Sequence, residues 1–268
     1  MEGLSEKLAS KLHKYSVLPF EDMYGTVSPL DAFVFTNYIF FLIIAFVATL
    51  VFFVVAANKT ALVPKGIGNL AETGVEFIRN LCVDSMGKEG VKFVPFIGTL
   101  FFFLLFANIL GLIPGTLPAT GTIGVTAAWA VMVFLLYNYI GIKKHGFIGY
   151  FKSFVPSGVR EMGPLGKGGM GSFIFILEVL GHFLRPLTLA MRLFANTFAG
   201  GMILGIFGIF VVLGVKEISA IGLLSSGLSL VMLVIMYAFK LFVGVIQAYI
   251  FTLLTTAYIG GALHADEH

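Results

Sequence analysis

Long apolar runs separated by short polar punctuation dominate this chain, and their lengths predict most of its architecture. Residues 33–56 are almost uninterruptedly apolar and long enough to cross a bilayer as one helix. In 57–92, Ile67, Leu70, Val75, Ile78 and Leu81 recur at roughly helical spacing between charged positions, which predicts an amphipathic helix on the membrane surface. Residues 93–112 and 123–142 form two further spans joined by a charge-free turn, and Lys143, Lys144 and His145 are expected to end the second. The glycine-rich stretch 146–170 reads as a loop, its final part flexible. Two segments, 172–215 and 219–263, complete the chain. Each would exceed ~60 Å as one straight helix, about twice the hydrocarbon thickness, so each must tilt, bend or cross twice. The short link at Lys216 and Glu217 predicts that they form a hairpin.

The fold class is therefore all-α and polytopic, with about five crossing helices and one surface helix. Residues 1–32 form an N-terminal arm and 33–268 a single membrane domain, with 93–142 and 172–263 as its two hairpins. The arm shows no cleavable signal sequence. No internal repeat is visible.

Composition agrees: 58% of the 268 residues are hydrophobic and 12% are charged. The net charge of +3 comes from basic residues clustered in segments beside the spans, which suits lipid headgroups rather than nucleic acid. Five Lys or Arg lie in 57–92, none in 113–122 and five in 143–170. The positive-inside rule then places 57–92, 143–170 and the C-terminus in the cytoplasm. The single cysteine, Cys82, has no partner for an internal disulfide and serves as an apolar filler. No nucleotide-binding loop, metal-ligand cluster or activated nucleophile is apparent, so no cofactor and no catalytic role are expected.

The chemistry lies in 178–201. Glu178, His182, Arg185, Thr188, Arg192 and Asn196 follow one another at three- or four-residue steps, so on a helix they form one polar stripe about 27 Å long. A guanidinium in the bilayer cannot shed its proton, and keeping it there costs from a few to more than ~10 kcal/mol. Arg192 lies fourteen residues from Glu178, about 21 Å along a straight helix, which is too far for a direct pair. Glu178 and Arg185 meet only if their side chains reach along the helix. A carboxylate on another subunit is then the natural partner of Arg192. His182 is one turn from Glu178, and the two form a candidate proton relay or, as readily, His182 is a satisfied core residue. In the last segment Lys240, Gly244 and Gln247 share a face. Gln247 suits a hydrated path, while Lys240 either snorkels to an interface or joins a channel.

The run RPLTLAMRLFANTFAGG, with the later FVGVIQAYIFTLLTTAYI, resembles subunit a of the F-type ATP synthases. Arg185, Pro186, Thr188, Leu189, Arg192, Leu193, Phe194 and Asn196 carry the first motif, and Gln247, Ala248, Tyr249, Ile250 and Phe251 the second. Asn108, Leu112 and Pro114 match a further N-x-x-x-L-x-P feature, and the resemblance covers roughly 93–263. It implies a proton-translocating stator subunit of a bacterial plasma membrane. Its partners would be a c-subunit ring, the b-subunit peripheral stalk and the other ATP synthase subunits, within the lipid bilayer. It also implies two offset half-channels, with Arg192 as the essential arginine and Gln247 as its partner. Three positions depart from the family: Gly201 and Gly111 where many members carry acidic or histidine groups, and Lys240 in place of His or Glu. These departures shift weight onto Glu178 and His182 as hydrophilic lining. The alternative is a free-standing ion or anion carrier with Arg192 as its substrate site.

Overall fold

Helix α1 (Asn37–Ala57) is apolar throughout its 21 residues and carries no charge. This computed structural model describes residues 37–58, 66–113, 119–152, 164–216 and 220–264. The N-terminal arm therefore lies outside the described residues. After α1 come α2 (Ile67–Met86), a 3-10 segment (Gly87–Phe93), α3 (Val94–Leu110) and a 3-10 turn (Ala119–Gly121). Then follow α4 (Ile123–Lys152), α5 (Pro164–Lys216) and α6 (Ala220–Leu263). The protein is an all-α polytopic membrane protein in which, among the described residues, five helical stretches are long and apolar enough to cross a bilayer.

Helix α2 packs on the bundle largely through small residues and leaves most of its large aliphatic residues exposed. Gly68, Ala71, Ile78, Cys82 and Met86 are buried, whereas Ile67, Leu70 and Val75 are exposed. Small residues set the approach: a Cβ at Gly260 of α6 would collide with the Ser85 carbonyl, and one at Gly74 with the Phe102 ring. Ile67, Leu70 and Val75 are left facing outward, as suits contact with lipid. The helix ends at Gly87, whose φ of 64° is accessible to glycine without a Cβ penalty and whose N–H donates to the Val83 carbonyl.

Helix α4 outruns its predicted end. Lys143, Lys144 and His145 stop the apolar run, but lysine is a good helix former and the helical stretch continues to Lys152. The break comes at Gly146 (φ 72°, ψ 164°). Beyond it the chain folds back, and the buried Tyr150 lies so close over Gly141 that a Cβ there would strike its ring. Lys144 pairs with Glu89 of the first 3-10 segment at 3.3 Å, and His145 Nε2 meets the Leu263 carbonyl of α6 at 3.1 Å. The ends of α2, α4 and α6 thus gather at one end of the bundle.

The predicted glycine-rich loop is also shorter than its composition suggests, because α5 begins at Pro164. Proline fits the first helical turn, where its missing N–H is not needed. At about 1.5 Å per residue the 53 residues of α5 and the 44 of α6 span roughly 80 and 66 Å. They form the most extensive helix–helix contact in the protein. The common core takes Leu100 and Leu104 from α3, Val133 and Tyr137 from α4, Leu189 and Leu193 from α5, and Phe251 and Ile259 from α6. Much of the opposite, apolar face of α5 and α6 is uncovered, including Ile176, Leu180, Phe183, Leu228 and Val234.

Candidate proton-path site

The predicted stripe on α5 contributes Glu178 and Arg185 to one polar cluster, a second cluster gathers around Thr197 beyond its end, and Arg192 lies between them. In the first, Glu178 and Arg185 form an ion pair at 2.9 Å, both partly exposed. Their backbones are about 10 Å apart along the axis, and two long side chains close that gap. The Arg185 guanidinium also lies 5.7 Å above the Tyr258 ring of α6, within cation–π range.

His182 turns away from this pair into the core, where it is 4% exposed. Its Nε2 lies 2.9 Å from Asn138 Oδ1 on α4. The Asn138 amide nitrogen donates to the Phe134 carbonyl at 2.7 Å, which fixes its oxygen as the acceptor and Nε2–H as the donor. The His182–Glu178 relay predicted from their spacing is therefore not assembled. One turn of separation brings residues together only when both project the same way, and packing against Phe134 and Tyr137 draws the imidazole toward α4.

The second cluster joins α3, the 119–121 turn, α5 and α6. Asn108 donates to the Gly244 carbonyl at 2.9 Å and accepts from the Thr120 hydroxyl at 3.3 Å. Thr120 in turn lies 3.1 Å from the Thr197 hydroxyl. The Lys240 ammonium donates to the Gly111 carbonyl at 3.0 Å, and its aliphatic stem crosses Gly200. Lys240 thus holds the carbonyl that follows α3 and has no acidic partner among the described residues.

Arg192 sits between these clusters, about 10 Å along α5 from Arg185 and about 8 Å from Thr197. Its side chain is exposed and makes no hydrogen bond or ion pair among the described residues. Thr188, also exposed, donates to the Arg185 carbonyl. Asn196 is half-buried. Gln247 is 5% exposed on α6 and is not bonded to Arg192. Tyr137, Asn138, Thr120 and Thr197 were not singled out from the sequence. Asn138 had a signal, an amide within an otherwise apolar span; the two threonines had none beyond proximity to Asn196 and the charge-free turn.

The model of the family described as ATP synthase A chain matches residues 39–260, which takes in every helix and both clusters. The chain belongs to the ATP synthase subunit a family. It is 37% identical over 230 residues to ATP synthase subunit a of Bartonella quintana (strain Toulouse), covering 86% of this chain and 88% of that one. A similar protein of the same name from Hyphomonas neptunium is 37% identical over 236 residues, covering 87% and 89%. That of Xanthobacter autotrophicus is 36% identical over 256 residues, covering 94% and 97%. As a member of the subunit a family with five membrane-capable helices, the chain is a multi-pass bacterial inner-membrane protein of ATP synthesis and proton transport.

Proposed function

We propose that the chain is the stator subunit of a rotary ATP synthase in which Arg192 couples proton flow to movement of a c-subunit ring. The observation that carries this reading is the exposed Arg192, without an anionic partner among the described residues, between two separate polar clusters along α5. Its carboxylate comes from the passing ring. The cluster of Glu178, Arg185 and Tyr258 lines the half-channel open to the cytoplasm, where the basic segments lie, with His182 in the core behind it. The cluster of Asn108, Thr120, Thr197 and Lys240, with Asn196 and Gln247 on the same helices, lines the half-channel open to the opposite side. The b-subunit stalk holds the assembly against rotation, and the chain itself catalyses no bond-making.

A guanidinium stays protonated, so Arg192 favours the deprotonated form of an approaching ring carboxylate and drives its proton into one half-channel. Two unit charges at 4 Å attract by about 4 kcal/mol at an effective dielectric near 20, enough to bias the ring. Hydration and the neutral amide of Gln247 keep the attraction from becoming a permanent, stalling pair. In membranes holding the assembled complex, Arg192→Ala should abolish ATP-driven proton pumping while passive proton conductance persists or rises. Normal coupled pumping in that variant sinks the reading. Transport of small anions by the purified chain alone replaces it with a carrier.

A further inference from the structure

Pro186 interrupts α5 one turn after His182 and two turns before Arg192, well inside the helix. Having no N–H, it cannot donate to the carbonyl four residues back, which is that of His182. The structure places a substitute donor there. Tyr137 of α4 is 2% exposed, and its hydroxyl meets the His182 carbonyl at 3.5 Å, a long hydrogen bond. A phenol this deeply buried needs a partner for its hydroxyl, and this carbonyl supplies it. The next residue on α4, Asn138, holds the His182 imidazole at 2.9 Å and is itself tied to Phe134. Tyr137 and Phe134 also pack their rings against His182, with centroids 5.2 Å apart in both cases.

We infer that Tyr137 and Asn138 are positioning residues: together they clamp α5 at its proline and set the course of the helix that carries Arg192. The proline removes one rung of the backbone ladder inside a 53-residue helix, and without outside restraint the missing rung leaves a soft joint. The backbone contact from Tyr137 and the side-chain contact from Asn138 fall within a single turn of that joint. They act on the polypeptide and not on the proton, so their effect on translocation is indirect. The inference rests on the role proposed for Arg192, but its test separates the two.

Tyr137→Phe removes the donor while keeping the ring, and Pro186→Ala restores the N–H that makes the donor redundant. In the assembled complex, Tyr137→Phe should lower ATP-driven proton pumping per ATP hydrolysed by about two- to tenfold, the range spanned by one lost hydrogen bond. In the Pro186→Ala background the same substitution should change pumping less than about twofold, a dependence that a packing role of the ring would not produce. A second readout does not need activity. Nitroxide labels at the exposed Leu135 and Phe210 of the complex should give a distance distribution that broadens in Tyr137→Phe and in Asn138→Leu. It should narrow again when Pro186→Ala is added to Tyr137→Phe. Equal pumping losses in both backgrounds, no loss in either, or unchanged label distances overturn the clamp. If the distances respond as expected but Arg192→Ala still pumps, the clamp stands and the role of Arg192 falls.

Discussion

Lys240 shows how a charge is kept inside this fold without an opposite charge. Its ammonium is held by the Gly111 carbonyl at 3.0 Å, and its methylenes run across Gly200. The glycine that meets the lysine stem is Gly200. A Cβ added at Gly200 would lie 3.5 Å from the stem, ordinary contact, so Gly200→Ala should pump as the wild type does. A larger side chain should displace the lysine. Losing this charge-assisted bond costs about 1.5–3 kcal/mol, and Gly200→Leu should lower coupled pumping roughly tenfold or more, as measured by quenching of a pH-sensitive dye. At this scale the sequence was informative where spacing alone decides. Fourteen residues between Glu178 and Arg192 rule out a direct pair on any straight helix. It was uninformative where another helix intervenes: His182 and Asn138 are 44 residues apart, and only the packing of α4 on α5 joins them.

The helices themselves were legible from the lengths of the apolar runs, and their ends were not. Basic residues after the third span end the stretch compatible with lipid, but nothing in lysine ends a helix; Gly146 does that. The amphipathic pattern of α2 likewise predicted a helix, but not its contacts, because the residues that approach another helix most closely are the smallest ones. The same logic governs the α5–α6 hairpin. A Cβ at Gly214 would stand 2.5 Å from the Gly222 carbonyl oxygen and 2.7 Å from the Ser226 Cβ, both too short to keep. The obstruction includes backbone, so no rotamer change relieves it. Gly214→Val should therefore splay the hairpin at its turn, at a cost of about 1–3 kcal/mol for overpacking. Immunoblots of washed membranes should show less subunit in the assembled complex, while Gly208→Ala, with open space around its Cβ, leaves that amount unchanged.

Across the whole molecule, polar contacts collect at the basic end and around the second cluster, and this predicts a sidedness. Glu89 with Lys144, and His145 with the terminus of α6, mark the basic end; Gly111, Thr120 and Lys240 lie toward the other. Because Cys82 is fully buried, single cysteines introduced on the surface can be read against a low background. An impermeant maleimide applied to inverted vesicles should label Lys88→Cys and Lys143→Cys and leave Ile113→Cys unlabelled. Applied to right-side-out vesicles it should do the reverse. Labelling of Ile113→Cys together with Lys88→Cys from one side would contradict the topology that the distribution of basic residues predicts.

The way α6 is fastened has a mechanical meaning. In the proposed assembly, a ring turning against its exposed face would drag that helix sideways at every step. The bonds that resist the drag are Asn108 to the Gly244 carbonyl, Lys240 to the Gly111 carbonyl and His145 to the Leu263 carbonyl. Each joins a side chain to backbone, and each ties α6 to α3, to the residue just after it, or to α4. Arg192 and Gln247 carry none of this load. The stator can thus be stiff in its frame and loose at its contact point, so thrust passes into the stationary helices while the arginine remains free to let each carboxylate go.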